Sequence, residues 1–189
     1  VTLALAVQCL VVYQLLLFVF TRLNPLRFLK RFSPVMMFAF TTATSNATIP
    51  LSIDTLDKKI GVSKKISSFT IPLGATINMD GTSIMQGVAV IFIAQVYGME
   101  LTPAQLLTVI ATAMIASIGT AGIPSVGLIM LAMVLTSVGL PTEGIALIMG
   151  IDRILDMLRT AVNITGDAVC TTIVSSQNKE LDRSIFNRD

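Results

Sequence analysis

The sequence contains no histidine, no tryptophan and only two cysteines, and charged residues make up 13% of its 189 positions. Each shortage excludes something. Without histidine there is no Ser-His triad, no imidazole-ligated zinc and no imidazole proton shuttle. Cys9 and Cys170 lie far apart in apolar runs, so they read as small core residues, with neither a disulfide nor a metal site expected of them. A water-soluble domain carries about 25% charged residues, so the charge lacking here must be lacking from long stretches. Residues 1–21, 32–53 and 101–142 hold no charged side chain, and 66–99 hold only Asp80. With 53% hydrophobic residues, this is the composition of an integral membrane protein.

The remaining charges are unevenly placed. Arg22, Arg27, Lys30 and Arg31 follow the first apolar run, Lys58, Lys59, Lys64 and Lys65 follow the second, and Lys179, Arg183 and Arg188 lie in the tail. The connections near 98–104 and 137–145 contain no basic residue. Basic connections stay on the cytoplasmic side, so the three clusters and the C-terminus are read as cytoplasmic and the other two connections as external, in a multi-pass protein of the cell membrane. The net charge of +2 is explained by this distribution, and no nucleic-acid partner is expected.

That assignment constrains 32–53, which is long enough to span a bilayer yet begins and ends on one side. It must turn round inside the membrane, and its middle, Thr41 to Pro50, is polar and helix-breaking. It reads as a re-entrant hairpin with its tip at about 43–48. Residues 101–142 are interrupted between Ser117 and Ser125, leaving arms of roughly 14 residues, about 21 Å each, against a hydrocarbon core of about 30 Å. This is a second re-entrant hairpin, entering from outside. Residues 1–21, 66–97 and 144–176 are long enough to span, and two of them are interrupted, between Thr76 and Thr82 and between Asn163 and Asp167.

The order hairpin then broken span occurs twice, in opposite orientations. Ala47-Thr48-Ile49-Pro50 is answered by Ala121-Gly122-Ile123-Pro124, and Asn78-Met79-Asp80-Gly81 by Asn163-Ile164-Thr165-Gly166. The predicted fold is therefore all-α integral membrane, an inverted repeat of a re-entrant helical hairpin plus a broken transmembrane helix. A transmembrane helix at 1–24 precedes a first repeat at 25–99, with its hairpin at about 26–57 and its broken span at 66–97. A second repeat at 100–177 has its hairpin at about 103–138 and an amphipathic span at 144–176, and 178–189 form a cytoplasmic tail. Such repeats suit a transporter working by alternating access.

At 100° per residue, Asp152, Asp156, Arg159, Asn163 and Asp167 fall within a stripe about 80° wide, bordered by Thr160. An ionisable group at mid-membrane costs about 2.5 kcal/mol or more, and groups kept there usually serve an ion or substrate path. The guanidinium of Arg159 offers a planar fork to a carboxylate, while Asp156, nearly one turn away, can accept from an ammonium. A ligand with both groups and a carboxylate to spare is an acidic amino acid. The Gly-, Ser- and Thr-rich hairpin tips offer free backbone N–H groups to its other carboxylate. Asn78, Asp80, Asn163 and Asp167, with carbonyls near Gly74, Thr76 and Ser117 to Thr120, are hard oxygen ligands of the kind Na⁺ accepts.

Three motifs, Pro72 to Thr82 (PLGATINMDGT), Ala116 to Pro124 (ASIGTAGIP) and Asp156 to Asp167 (DMLRTAVNITGD), closely resemble the dicarboxylate/amino acid:cation symporters, the glutamate transporter family, in order and over essentially the whole chain. The resemblance implies a sodium-coupled symporter carrying L-aspartate or L-glutamate into the cell, not an enzyme. It implies substrate contacts from Asp156 to the amino group, from Arg159 to the side-chain carboxylate, and from Thr160, Asn163 and Thr82. The tip residues Thr44, Ser45 and Asn46, and Ala121, Gly122 and Ile123 with Gly127, would close over the substrate, the second hairpin being the outer gate. Co-transported sodium would sit at Gly74, Asn78, Asn163 and Asp167, at Thr76, Met79, Ser117, Ile118 and Thr120, and at a third site using Asn78 and Asp80. Family members are longer than this chain, which resembles their C-terminal transport core, with homotrimer formation assigned to an N-terminal scaffold absent from it. Three positions depart from the family pattern: Ala43 stands where archaeal members place an arginine, Asn46 where serine is usual, and Gln86 where animal carriers have a glutamate linked to proton and potassium coupling. Glutamine cannot carry that proton, which favours plain sodium symport. Arg153, off the polar stripe, is the other candidate arginine.

Other functions fit less well. An intramembrane aspartyl protease needs a Gly-x-Gly-Asp motif, and Thr165-Gly166-Asp167 lacks its first glycine. A channel would account for broken helices but leaves the Asp156/Arg159 pair without a purpose. Proton coupling is the alternative to sodium. A C4-dicarboxylate would be repelled by Asp156, and a neutral amino acid would leave Arg159 without an anionic partner.

Overall fold

The computed structural model describes residues 1–118 and 124–188 and is all-helical over them, with no β-structure beyond the single bridge of Val62 with Leu181. The chain opens with α1 (Thr2–Val7), a π-helical turn (Gln8–Val12) and α2 (Tyr13–Thr21) in one continuous rod. After a break, α3 (Pro25–Thr42) starts where chemistry favours it: the Asn24 side chain accepts from the backbone N–H of Leu26 and Arg27 at 3.0 and 3.2 Å, and Pro25 occupies the first turn. It stops at Ala43, which takes a left-handed conformation (φ 50°). Thr44 is extended, and α4 (Ser45–Thr55) then packs back on α3 and ends in a π turn, Leu56–Ile60.

Helices α5 (Lys64–Ile77) and α6 (Asp80–Val96) are separated by only Asn78 and Met79, both outside helical φ/ψ. Next come α7 (Pro103–Ile118) and α8 (Val126–Ser137), which pack together, then a 3₁₀ turn (Thr142–Ile145) and the 32-residue α9 (Ala146–Gln177). A short α10 (Arg183–Asn187) closes the described chain.

Helix α9 is the axis around which the rest is arranged, touching α2, α3, α5 and α6 most extensively. Apolar packing splits into two clusters beside it. One joins α1 to α3, the end of α4, α5 and the C-terminal half of α9, with Phe28 and Phe32 stacked at its centre. The other joins α6, α7 and α8 around Val90, Ile93, Leu131 and Leu135. Outward faces are apolar too: Leu3, Ile115 and Ile129 are 79%, 69% and 70% exposed. Two stretches, Thr2–Thr21 and Lys64–Val96, are long and apolar enough to cross a membrane by length and composition.

Two expectations are corrected. The sequence suggests an interruption at Asn163-Ile164-Thr165-Gly166-Asp167, yet α9 runs through it unbroken. The polar side chains there bond to other elements or, for Thr165, to the Ala161 carbonyl at 2.7 Å, so they do not compete with the helix backbone. Gly166 serves close packing: a Cβ there would lie 2.5 Å from Tyr13 Oη and 2.8 Å from Asn78 Nδ2. Cys170, read as a core residue, is exposed, because it lines an open crevice with Gly74, Asn78 and Asp167; Cys9 is buried and both are free.

Gly81 sets the approach of α6 to α9, where a Cβ would lie 2.9 Å from the Arg159 carbonyl oxygen and 3.0 Å from its Cα. Backbone cannot give way as a flexible side chain does, so Gly81→Ala is expected to destabilise the protein by about 1–3 kcal/mol. Thermal unfolding in detergent measures this, and an unchanged midpoint would contradict the packing.

Candidate functional site

The site is built where α9 passes the gap between α5 and α6. The first turn of a helix has backbone N–H groups with no partner inside the helix. Here Asn163, from α9, supplies an acceptor: its Oδ1 takes the Gly81 N–H at 2.7 Å, while its Nδ2 reaches Met79 Sδ at 3.2 Å and Thr82 Oγ1 at 3.5 Å. On the other side of the gap Asn78 donates through Nδ2 to Asp167 Oδ1 at 2.7 Å and to the Asn163 carbonyl at 3.5 Å. Gly74 lies so close to the Asp167 carboxylate that a Cβ would collide with it. Gly74, Asn78, Asn163 and Asp167 thus form one group of oxygen-rich side chains and backbone, beside an open crevice of about 350 Å³. Asp80 lies at the head of α6 and its Oδ2 accepts from Tyr13 Oη at 2.9 Å and Gln8 Nε2 at 3.0 Å.

About one turn of α9 away sits a buried charge cluster. Arg159 is 1% exposed. Its Nη2 and Nε donate to Asp156 Oδ1 at 2.8 and 3.1 Å, and its Nη1 lies 3.2 Å from Asp152 Oδ1. That last contact is an ion pair by distance only: neither Arg159 Nη1 nor Asp152 Oδ1 has an aligned hydrogen bond. The guanidinium therefore has a buried donor in reserve. Asp156 Oδ2 accepts the Ser125 N–H at 3.0 Å, tying the start of α8 to α9. Gly127 faces the guanidinium, since a Cβ there would lie 3.1 Å from Arg159 Cζ, and its carbonyl accepts from Gln86 Nε2 at 3.4 Å. Thr160 Oγ1 returns to the Asp156 carbonyl at 2.8 Å.

Asp156, Arg159, Thr160, Asn163, Thr82 and Gly127 are accordingly brought together, as are Asn78, Met79, Gly74 and Asp167. Other expected residues stand apart. Thr44 and Ser45 make their hydrogen bonds within their own turn, the Thr44 hydroxyl to the Thr42 carbonyl and the Ser45 carbonyl accepting from Thr48, and Asn46 is exposed. Thr76 is exposed and its hydroxyl bonds to the Leu73 carbonyl at 2.7 Å. Ser117 is buried at the end of α7 with its hydroxyl on the Met114 carbonyl, and Ile118 is exposed. Thr120, Ala121, Gly122 and Ile123 lie outside the described residues. Arg153 is exposed, away from the cluster.

Sequence reasoning overlooks four participants. Asp152 belongs to the stripe but is assigned no role; its offset of seven residues from Arg159, two helical turns, is the signal. Gln8 and Tyr13 are polar interruptions of an otherwise apolar helix, and that oddity marks them. The Ser125 N–H has no signal in sequence.

Residues 1–177 match the sodium:dicarboxylate symporter family. The chain belongs to that family. It is 43% identical to the human excitatory amino acid transporter 1 over 189 residues, all of this chain and 34% of that protein. It is 43% identical to a Caenorhabditis elegans excitatory amino acid transporter over 175 residues, 93% of this chain and 35% of that protein, and 45% identical to human excitatory amino acid transporter 2 over 169 residues, 89% and 29% respectively. The chain thus spans about a third of the length of these relatives.

If Asn163 caps the head of α6, Asn163→Ala leaves the Gly81 N–H buried and unpaired and is expected to cost about 1–3 kcal/mol of stability. Thr160→Ala removes only a bond to a carbonyl already engaged in its helix and should cost less. Equal losses in denaturant unfolding would rule out the capping role.

Proposed function

We propose that this chain forms the substrate- and ion-binding core of a sodium-coupled symporter for acidic amino acids, taking L-aspartate or L-glutamate into the cell across its membrane. One observation carries the reading: the Arg159 guanidinium, buried beside Asp156 with one terminal nitrogen making no hydrogen bond. A buried cation with a spare donor is selective for an anionic group, because only an anion can replace the Asp156 and Asp152 contacts without leaving the guanidinium unpaired. Asp156 lies one turn from it and can take an ammonium. Bound together, the two ends of an amino acid would replace contacts that Arg159 and Asp156 now make with each other and with Asp152. Family membership and the names of the relatives support both the substrate class and the coupling ion.

Cations fit the second group. Asp167, Asn78 and the Asn163 carbonyl offer only hard oxygen ligands to an incoming Na⁺, with the Asn78 amide free to turn its oxygen inward. Sodium bound there and substrate bound at Arg159 would share Asn163, whose side chain faces the α6 head and whose carbonyl faces Asn78. That shared residue gives a physical route by which one ligand favours the other. The assignments of Asp80, Thr76, Met79, Ser117, Ile118 and Thr120 to further sodium sites, and of Thr44, Ser45, Asn46, Ala121, Gly122, Ile123 and Gly127 to closing over the substrate, belong to the same proposal.

In this reading the apolar outward faces of α1, α7, α8 and the start of α9 meet lipid, and the polar groups of the gap are sheltered by protein. The α3–α4 and α7–α8 pairs are the two re-entrant hairpins, and the basic end of the molecule is cytoplasmic. The whole protein is a homotrimer through segments outside this chain.

The full-length parent protein in proteoliposomes should accumulate labelled L-aspartate under an inward Na⁺ gradient and not under a proton gradient alone. Arg159→Ala should reduce acidic substrate uptake on the order of a hundredfold, and neutral amino acids less. Asp156→Asn should weaken amino acids more than succinate. Unchanged selectivity in both variants, at equal amounts of folded protein, would sink the assignment.

A further inference from the structure

Basic residues from three distant parts of the sequence meet at one end of the molecule. Arg27, Lys30, Arg31 and Lys59 line an open cavity of about 380 Å³, and Arg31 and Lys59 continue into a second of about 300 Å³ with Lys58 and Arg188. Among the described residues, no acidic side chain lines either cavity. Asp54 pairs at 2.6 Å with Lys58 of the second cavity, while Asp57 pairs with Lys64 at 3.5 Å and Asp182 caps α10 by accepting the Ser184 N–H at 2.9 Å. Lys30 and Lys59 make no ion pair among the described residues.

The cavity walls are held in place by the tail. Arg31 donates through Nη1 to the carbonyls of Lys59 at 2.5 Å and Ile185 at 3.0 Å and through Nη2 to that of Arg188, and its guanidinium lies 5.4 Å from the ring centroid of Phe186. Phe186 is buried, and the tail is fastened by the Asp182 N–H to the Gly61 carbonyl at 2.8 Å and by Arg183 to the Thr21 carbonyl at 2.7 Å. Carbonyls orient a guanidinium but do not cancel its charge, so among the described residues Arg31 has no carboxylate partner, like Lys30 and Lys59 beside it. A phosphoryl group supplies both the charge and the several acceptor oxygens that such a set of donors matches.

Free phosphate and a lipid headgroup share that chemistry. The surface next to the cavity favours the lipid: Leu26 and Met37, 77% and 61% exposed, lie on one helical stripe with Lys30. A lysine on an apolar stripe reaches its ammonium to the headgroup level while its stem stays in apolar surroundings. We propose that these joined cavities bind the phosphate of an anionic lipid headgroup, docking the tail-covered end of the protein on the membrane. The inference rests on the membrane reading above but not on the substrate assignment.

The test uses the full-length protein in an uncharged detergent, titrated by calorimetry with short-chain phosphatidic acid, short-chain phosphatidylcholine and inorganic phosphate. Phosphatidic acid should bind saturably and the other two should not at the same concentrations. Lys30→Ala with Lys59→Ala should weaken it about thirtyfold. Phe186→Ala, which changes no charge, should also weaken it, whereas Lys64→Ala with Lys65→Ala, whose partners are Asp57 and Glu180, should change it less than about threefold. Equal losses in the two double variants, or phosphate binding as tightly as the lipid, would overturn the proposal. Full-length protein that stays in solution without detergent would overturn the membrane reading instead, and lipid binding without amino acid uptake would overturn only the transport reading.

Discussion

A helix interrupted away from water must satisfy the backbone groups it frees, and much of this structure follows from how that is done at Asn78 and Met79. The acceptor for the head of α6 comes from α9, through Asn163, and the side chain at the end of α5 is held by Asp167, four residues further along the same helix. One face of α9 therefore closes both sides of the gap. That requires close approach, which explains the small residues at the contacts: Gly74 against Asp167, Gly81 against the Arg159 backbone, Gly166 against Tyr13 and Asn78. It also requires α9 to be straight and continuous, since a second break would remove the rigid ruler on which Asn163 and Asp167 are mounted.

The same face carries Asp152, Asp156 and Arg159, buried and bonded largely to one another. A buried ion pair contributes little net stability, because desolvating the charges offsets their attraction. Its persistence here is the observation on which the proposed ligand site rests. Arg159 is held on one edge by Asp156 through two hydrogen bonds and approached on the other by Asp152 at 3.2 Å without one, so the three charges are unequally committed to one another. Polar interior and apolar exterior are then two sides of one arrangement, the reverse of a soluble domain, with the apolar clusters on either side of α9 keeping the polar stripe away from the surface.

The tail adds a third element. Phe186 and the carbonyls around it organise Arg27 and Arg31, and Val62 with Leu181 and Gly61 with Asp182 tie it to the turn after α4. Arg31 and Lys59, remote in sequence, meet directly, and the docked tail adds Arg188 to the same positively charged end.

Local pattern alone yields the long apolar stretches, the polar stripe of α9 and the helix stop near Ala43, because composition, 3.6-residue periodicity and turn chemistry act over a few residues. The family is legible for the same reason, its motifs being contiguous. What sequence misjudges are matters of partnership. Asn163-Ile164-Thr165-Gly166 looks like a break because its residues are poor helix formers, yet α9 continues, the Asn163 side chain accepting from Gly81 of α6 and the Thr165 hydroxyl bonding the Ala161 carbonyl of its own helix. Asp80 looks like an ion ligand, and which donors reach it, Tyr13 and Gln8, depends on the packing of α2 and the π turn against the gap. Cys170 sits in an apolar run yet opens onto the crevice beside Asp167, because α5 leaves that part of the α9 face uncovered. The sequence by itself determined the class of the protein and the identity of the buried charges. Only the tertiary structure decided which of those charges meet, because a hydrogen bond is set by the distance between atoms brought together from separate helices, and no local pattern encodes that distance.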